Sequence, residues 1–140
     1  MLAEASGGDP ELILLATGSE LWLALAAQQE LEQREEIPTR VVSMPCWELF
    51  EAQGQDYRDQ VLPPRVTARL AVEAGSTGLW HKWVGTLGGV VGIDQFGASA
   101  PGGTLLARFG FTEDNVVERA LAVLHREHIE KTRMLRNLSA

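Results

Sequence analysis

The chain has 140 residues, 45% of them hydrophobic and 22% charged, a balance typical of one globular domain large enough to bury a core. Its net charge is −7, and residues 1–60 carry twelve acidic against three basic residues. A nucleic-acid-binding protein needs a basic footprint, which this composition excludes, so no nucleic-acid partner is expected. No apolar stretch approaches the roughly 20 residues of a membrane span, and no secretory signal is visible. A single cysteine, Cys46, excludes an internal disulfide and favours a cytoplasmic location without a membrane partner.

The first predicted element is the apolar run Leu12–Ala16, which has the length of a strand buried on both faces. Thr17 and Glu20 follow it with the spacing of a capping box, although Ser19 is an alternative cap for the next helix. Residues 21–27 are apolar on almost all sides, which predicts a well-covered helix, and its second half is amphipathic with Leu31 facing inward. A strand, a tight turn and a helix are the typical start of a parallel α/β sheet.

Three more strands are predicted over residues 39–44, 66–73 and 90–94. The strict alternation of residues 66–73 predicts that only one face of that strand is fully buried. Shorter helical segments are predicted over residues 47–50, 56–62, 79–84 and 104–109, and Thr112 is expected to cap the last long helix. The side chains expected on the core stripe of that helix are Val117, Ala120, Leu121, Leu124 and His128.

This alternation of strands and helices predicts a three-layer α/β/α sandwich with a mainly parallel sheet. Residues 1–10 are small and polar and predict a linker or a frayed N-terminus. Residues 11–124 form the predicted domain. The apolar signal thins beyond Leu124, so residues 125–140 are expected to be a helical extension or a tail.

Five pieces of the chain resemble the C-terminal domain of transketolase, in the order of that family, and together they cover about residues 11–124. They are ATGSE at residues 16–20, RVVSMP at 40–45, VTARLAVEAG at 66–75, FGASAP at 96–101, and FGFT at 109–112 with NVV at 115–117. The resemblance implies a mixed sheet of about five strands with one strand antiparallel to the others. Only four strands are predicted above, so the fifth strand would have to come from a stretch that is assigned as loop or terminus. Cys46 and the aromatic residues 79–83 depart from the family pattern without affecting the fold expectation.

Transketolases transfer a two-carbon ketol unit between sugar phosphates with thiamine diphosphate and a divalent metal, Mg or Ca, in the pentose phosphate or Calvin pathways. The resemblance implies that these groups bind to the two preceding domains and to the second subunit of a homodimer, which are the expected partners. The chain lacks the Gly-Asp-Gly followed by Asn of the metal–diphosphate signature, so we expect no catalytic, cofactor-binding or metal-binding residue in it. Its implied role is structural, in stability and dimer assembly.

An alternative hypothesis is that the chain is a separate subunit of a split transketolase. Residues 2–6 resemble the linker that enters this domain, so Met1 is expected to mark either the edge of a domain cut from a longer protein or the start of a split-gene product. A third hypothesis is a regulatory module that binds an anion.

The candidate anion site consists of Thr17, Gly18 and Ser19, at a helix start where free amides and the helix dipole favour negative charge. This loop lacks the glycine spacing of a phosphate-binding fingerprint, and Glu20 would repel a phosphate, so helix capping is the favoured interpretation.

Other chemical candidates are weaker. His125 and His128 lie three residues apart, but no third ligand is spaced to complete a zinc site. Ser99 lacks the second glycine of a nucleophile elbow. A helix dipole could lower the pKa of Cys46, although packing beside Trp47 is the favoured interpretation. The four tryptophans are expected in the core or at a subunit interface.

Overall fold

The structure is a computed structural model that describes residues 3–17, 20–44, 47–73, 81–85, 87–92 and 112–139. Four strands and five α-helices alternate along these residues after a short 3-10 turn at Ser6–Gly8. Their order is β1 (Leu12–Ala16), α1 (Leu21–Gln33), β2 (Thr39–Ser43), α2 (Trp47–Glu51), α3 (Gln55–Val61), β3 (Arg69–Glu73), α4 (His81–Val84), β4 (Gly89–Gly92) and α5 (Glu113–Ser139). The helix and the loop predicted over residues 96–109 lie outside the described residues.

The four strands form one parallel sheet in the order β2-β1-β3-β4. In the centre, Leu14 of β1 lies beside Val41 of β2 on one side and Leu70 of β3 on the other. The predicted α/β class is confirmed, with four described strands where about five were expected. An antiparallel contact is also present, because Ala3 and Val41 exchange both backbone hydrogen bonds at 3.2 and 2.8 Å. Within the described residues this contact is a single bridge on the outer edge of β2.

Both faces of the sheet are covered, and all five residues of β1 are fully buried, as its apolar run predicts. Leu12 and Leu14 belong to a core cluster that also contains residues of α1 and α5. Ile13 and Leu15 belong to a second cluster on the other face, with residues of α3 and α4 and with Phe50 of α2. Burying each such side chain contributes about 1.5–3 kcal/mol. The helices α1 and α5 therefore cover one face, and α2, α3 and α4 cover the opposite one.

Two predictions of burial hold only in part. The strand predicted over residues 66–73 begins at Arg69. Its expected core face, with Leu70 and Val72, is fully buried, whereas on the other face Arg69 is half-buried and Ala71 is fully buried in the second cluster. The alternating pattern did not reveal the burial of Ala71, because a small side chain such as alanine can fill a face that is covered by a helix. In α1, which was expected to be well covered, the Trp22 side chain is 63% exposed.

The long helix α5 begins as predicted, since the Asn115 amide donates to Thr112 Oγ1 at 3.2 Å. The predicted core stripe is confirmed in part, because Val117 and Ala120 are buried and Leu121 and Leu124 pack against the core cluster. Residues of α5 that are fully buried or nearly so include Val116, Ala120, Val123 and Glu127, whereas Leu121 and Leu124 are half-buried and His128 is exposed. The helix then continues as far as Ser139, beyond the last buried residue, Glu127.

One glycine is required by close packing. A Cβ atom on Gly88 would lie 2.8 Å from the Arg69 carbonyl oxygen and closer still to that of Val84, so no side chain fits where the end of α4 crosses β3. No helix in the described part of the chain is long and apolar enough to cross a membrane.

Candidate functional site

The carboxyl edge of the sheet is the first place to look for a site, because open parallel sheets bind ligands where the chain winds off in opposite directions. In this sheet β2 lies on one side of β1 and β3 lies on the other, so the order of the strands reverses at the carboxyl end of β1. Thr17 follows β1 directly at this point and is half-buried. Of the predicted anion-binding residues, Gly18 and Ser19 lie outside the described residues. The anion site therefore stays a prediction.

The start of α1 differs from the predicted capping box. The helix begins at Leu21, with Glu20 at the N-cap position and no capping hydrogen bond from its side chain. The Glu20 backbone N–H donates to the Thr17 carbonyl at 3.2 Å, which forms a tight turn ahead of the helix. Glu20 is 6% exposed and comes directly after the predicted anion-binding residues in the sequence.

The best-defined polar cluster of the described residues lies instead at the outer edge of β2. We call Glu4, Ser6, Glu32 and Arg40 the N-terminal clip, because together they hold residues 3–10 against the sheet. The Arg40 side chain is buried and donates from Nε and Nη2 to the two carboxylate oxygens of Glu4, at 2.8 and 2.9 Å. Its Nη1 donates to the carbonyl oxygens of Gln60 and Val61 at 2.8 and 2.9 Å. Arg40 thus ties three separate segments together.

Glu32 of α1 forms the second half of the N-terminal clip. Its Oε1 accepts the Ser6 and Thr39 backbone amides at 3.1 and 2.7 Å, and its Oε2 accepts the Ser6 hydroxyl at 2.5 Å. One carboxylate therefore joins the N-terminal segment to the first residue of β2. Residues 3–10 were expected to be a linker or a frayed end, and these bonds show that they contact the domain. The division of the chain into a domain and flanking segments stays a prediction.

The ionisation of both carboxyl groups is tied to these contacts. The hydrogen bond from Arg40 is the main cause that lowers the pKa of Glu4, against the opposing effect of burial. Burial by itself raises the pKa of Glu32, but the hydrogen bonds from Ser6 and Thr39 outweigh it, so the pKa of Glu32 is also lowered. Both groups therefore favour the charged form in the folded protein.

A second, half-buried arginine organises the opposite face. Arg69 donates to the carbonyl oxygens of Val66, Trp83 and Pro63 at 2.8–2.9 Å, and to that of Leu62 at 3.3 Å. Burial lowers the pKa of Arg69. Its guanidinium is occupied with backbone carbonyls that join the loop before β3 to α4, which is a structural arrangement.

The two histidines considered for zinc lie in an open cleft of about 780 Å³ at the amino edge of the sheet. Asp9, Glu11, Arg65 and Lys131 also line this cleft. Arg65 pairs with Asp9 across it. No three His, Cys, Asp or Glu side chains come together as a metal site within the described residues, and Cys46 lies outside them.

The donor set at the described carboxyl edge also does not fit the diphosphate and divalent metal of the transketolase cofactor. Thr17 supplies a single hydroxyl, and the nearby carboxyl group of Glu20 is buried and would repel a diphosphate.

Sequence analysis missed the N-terminal clip. A signal was available, because Arg40 comes directly before the apolar pair Val41–Val42 in a predicted strand, as Arg69 comes directly before the apolar residues 70–72. A charged residue in such a strand is buried only when it is paired or hydrogen-bonded. Its partners, however, lie at distant positions, since Glu4 is 36 residues before Arg40.

Comparison with known proteins gives one consistent result. The family model of the transketolase-like TK C-terminal domain matches residues 1–112. The chain is 52% identical over 124 residues to the transketolase of Geobacillus stearothermophilus, a match that covers 89% of this chain and 18% of that protein. It is 51% identical over 119 residues to the chloroplastic transketolase of Spinacia oleracea, with 85% and 16% covered.

Solved structures agree with this result. A transketolase from Leishmania mexicana matches with a TM-score of 0.76 and 42% identity, over 84% of this chain and 17% of that one. A protein described as a split gene transketolase, inactive beta4 tetramer, shares the fold with a TM-score of 0.59 at 20% identity, over 84% of this chain and 40% of that one. The chain thus spans 16–18% of the length of these two curated relatives.

Proposed function

The chain belongs to the family of transketolase C-terminal domains, and on this premise we propose that it is the non-catalytic C-terminal domain of a transketolase. The parent enzyme would transfer ketol units between sugar phosphates with thiamine diphosphate and a divalent metal, in the cytoplasm. In that enzyme this domain contributes to stability and to dimer assembly, next to the two cofactor-binding domains. The observation that carries the proposal is coverage, since nearly all of this chain matches only about a sixth of its relatives.

The described residues support a structural role. Arg40 and Arg69 are engaged with carbonyl groups and with Glu4, which leaves them unavailable to a substrate. The chain covers both faces of its own sheet, so it is built as a domain that folds around its own core.

Activity of the purified chain is the first test. The chain is incubated with thiamine diphosphate, a divalent metal, a ketose phosphate donor and an aldose phosphate acceptor. No turnover is expected, because no described cluster of side chains is arranged for the cofactor or for a metal. Measurable turnover by the pure chain would contradict the proposal.

Removal of this domain from the parent enzyme is the second test. We expect kcat per dimer to be unchanged at protein concentrations where the dimer persists. The dissociation constant of the dimer should rise, and its melting temperature should fall. A fall in kcat of the intact dimer would assign the domain a catalytic role instead.

The alternative, a separate subunit of a split transketolase, is distinguished by the size of the native polypeptide. An antibody against this domain detects in cell extract either a band near 15.3 kDa or one several times heavier. The heavier band is expected. A band at the smaller size would favour the split subunit, and the partner chain would then be sought by co-purification.

A further inference from the structure

A small pocket lies on the face of the sheet that α2, α3 and α4 cover. Its volume is about 310 Å³, near the lower limit for pockets that bind small molecules. Phe50, Leu62 and Trp83 supply apolar walls, and the polar part of the lining includes Arg58 and Lys82. The pocket is therefore apolar in its walls and carries basic side chains.

Two N–H groups of this pocket lack an acceptor. Trp83 is 7% exposed, and its indole Nε1 has no hydrogen-bond partner within the described residues. Arg58 is half-buried, and its Nε is a second buried donor without a partner there. Nearly all buried N–H groups in folded proteins are hydrogen-bonded, and an unmet donor costs more free energy when it is charged. The two donors therefore point to an acceptor that the described chain does not supply.

Arg58 also has no ion-pair partner among the residues that the structure describes. Its Nη2 donates to the neutral amide oxygen of Gln55 at 2.8 Å. Asp59 supplies the one carboxylate of the described lining, and it accepts a hydrogen bond from Gln55 Nε2 at 2.6 Å. The charge of Arg58 is therefore available to an anion that enters the pocket.

The other two cations of the lining are already engaged. Arg69 donates to four backbone carbonyl oxygens, and Lys82 pairs with Glu51. Lys82 and Gln55 are exposed, which places them at the opening of the pocket. Neither of the two unpaired N–H groups is exposed to solvent in this conformation. A ligand reaches them when the long, flexible side chains of Lys82 and Gln55 move aside.

We propose that this pocket binds the carboxylate group of a small organic acid. One carboxylate oxygen accepts from Arg58 Nε and the other from Trp83 Nε1, and hydrogen bonds to a charged acceptor are stronger than neutral ones. The apolar body of the acid lies against Phe50 and Leu62. Inorganic phosphate fits less well, because it would place polar oxygens against these apolar walls. This binding site goes beyond the structural role proposed for the domain.

The experiment is an NMR titration of the full chain with benzoate, at neutral pH and constant ionic strength. The indole N–H signal of Trp83 is assigned as the one that disappears in Trp83→Phe. It should move to higher frequency with a saturable dependence on benzoate, because this N–H gains a charged acceptor. Half-saturation is expected in the low millimolar range. The indole signals of the other three tryptophans should move much less.

Substitution of Arg58 tests the charged half of the site. Arg58→Gln removes the charge and the Nε donor, so it should weaken benzoate binding at least about tenfold. Arg58→Lys keeps the charge and should weaken binding less than Arg58→Gln. Arg34→Gln is the matched control, because Arg34 is an exposed arginine on α1, and it should leave the affinity unchanged. Melting curves establish that each variant is folded, and the titration of the unaltered chain depends on none of them.

Three results would overturn the proposal. The first is a Trp83 signal that shows no saturable response to benzoate in the unaltered chain. The second is an equal affinity for benzoate in folded Arg58→Gln. The third comes from titration with inorganic phosphate, because saturation by phosphate without a response to benzoate would assign the pocket to a different class of anion.

Discussion

Residues 3–10 and residues 128–139 flank the same sheet, and both are rich in polar side chains, but only the first segment is held against the domain. Residues 3–10 lack helical periodicity, yet the buried guanidinium of Arg40 and the carboxylate of Glu32 hold them in place. Residues 128–139 form regular helix, yet their apolar side chains remain exposed. Regular secondary structure and attachment to a core are therefore separate properties. The first depends on local sequence and the second on partners elsewhere in the chain.

Among the variants that test this comparison, Arg40→Met is expected to cause the largest loss in the free energy of unfolding. Methionine fills much of the space but leaves the Gln60 and Val61 carbonyls without their donor and releases Glu4, so we expect a loss of about 3 kcal/mol in the free energy of unfolding. Urea denaturation measures it. Arg34→Met is the control, because its exposed ion pair with Glu30 should contribute at most about 0.5 kcal/mol. Equal effects of both variants would show that Arg40 does not hold the N-terminal segment.

Glu32→Ala is expected to cost about 1.5 kcal/mol, because the Thr39 amide loses its hydrogen-bond acceptor at a buried position. Hydrogen exchange of residues 3–10 should accelerate in this variant. The control is Glu130→Ala on α5, where the carboxylate pairs only loosely with Arg133 at 3.8 Å. Unchanged exchange of residues 3–10 after Glu32→Ala would contradict the role of the N-terminal clip.

The pH dependence is expected to distinguish the two ends of the chain. The pKa of Glu4 and that of Glu32 are lowered in the folded protein from the ordinary value of 4.5. Their contribution to stability is therefore complete above that value and is lost as the pH falls below it through the folded pKa. The protection factors of residues 3–10 against hydrogen exchange, which correct for the intrinsic pH dependence, should fall as the pH is lowered from about 5 to about 3, and E4Q/E32Q should flatten that dependence. An unchanged profile in E4Q/E32Q would mean that other groups cause it.

Leu138→Ala should have the smallest effect on stability. The side chain is largely exposed in the single molecule, so the free energy of unfolding of the monomer should change by less than about 0.5 kcal/mol. Val123→Ala, in the buried part of the same helix, should cost about 2 kcal/mol by comparison. Both values come from urea denaturation at a protein concentration where the chain is monomeric. A large loss in the free energy of unfolding from Leu138→Ala would mean that the last turns of α5 pack on their own domain.

Features of the fold could be predicted from the sequence where a local pattern of residues determines their structure and burial. Leu12–Ala16 is apolar throughout, and burial on both faces follows from that alone. Thr112 caps α5 because its hydroxyl reaches an amide only three residues away. The full burial of Ala71 in β3 was not predicted, because it depends on the residues of α4 that pack over this face and not on the strand itself.

The candidate site was less predictable, because it too depends on residues that are distant in the sequence. Arg40 can be recognised as a charged residue within a predicted strand, but its partners Glu4, Gln60 and Val61 come from both directions along the chain. No local spacing relates them. The anion site at Thr17 rests on a pattern of neighbouring residues and stays a prediction, since two of its three members lie outside the described residues.

The bridge between Ala3 and Val41 also bears on the solubility of this domain. Among the described strands, β2 is the edge of the sheet on that side, and an uncovered edge is a template for pairing with strands of other chains. The sequence of β2, TRVVS, carries two adjacent valines, a composition that favours such pairing. By occupying both backbone groups of Val41 on this edge, Ala3 leaves fewer groups open to pairing with another chain, which would reduce edge-to-edge aggregation.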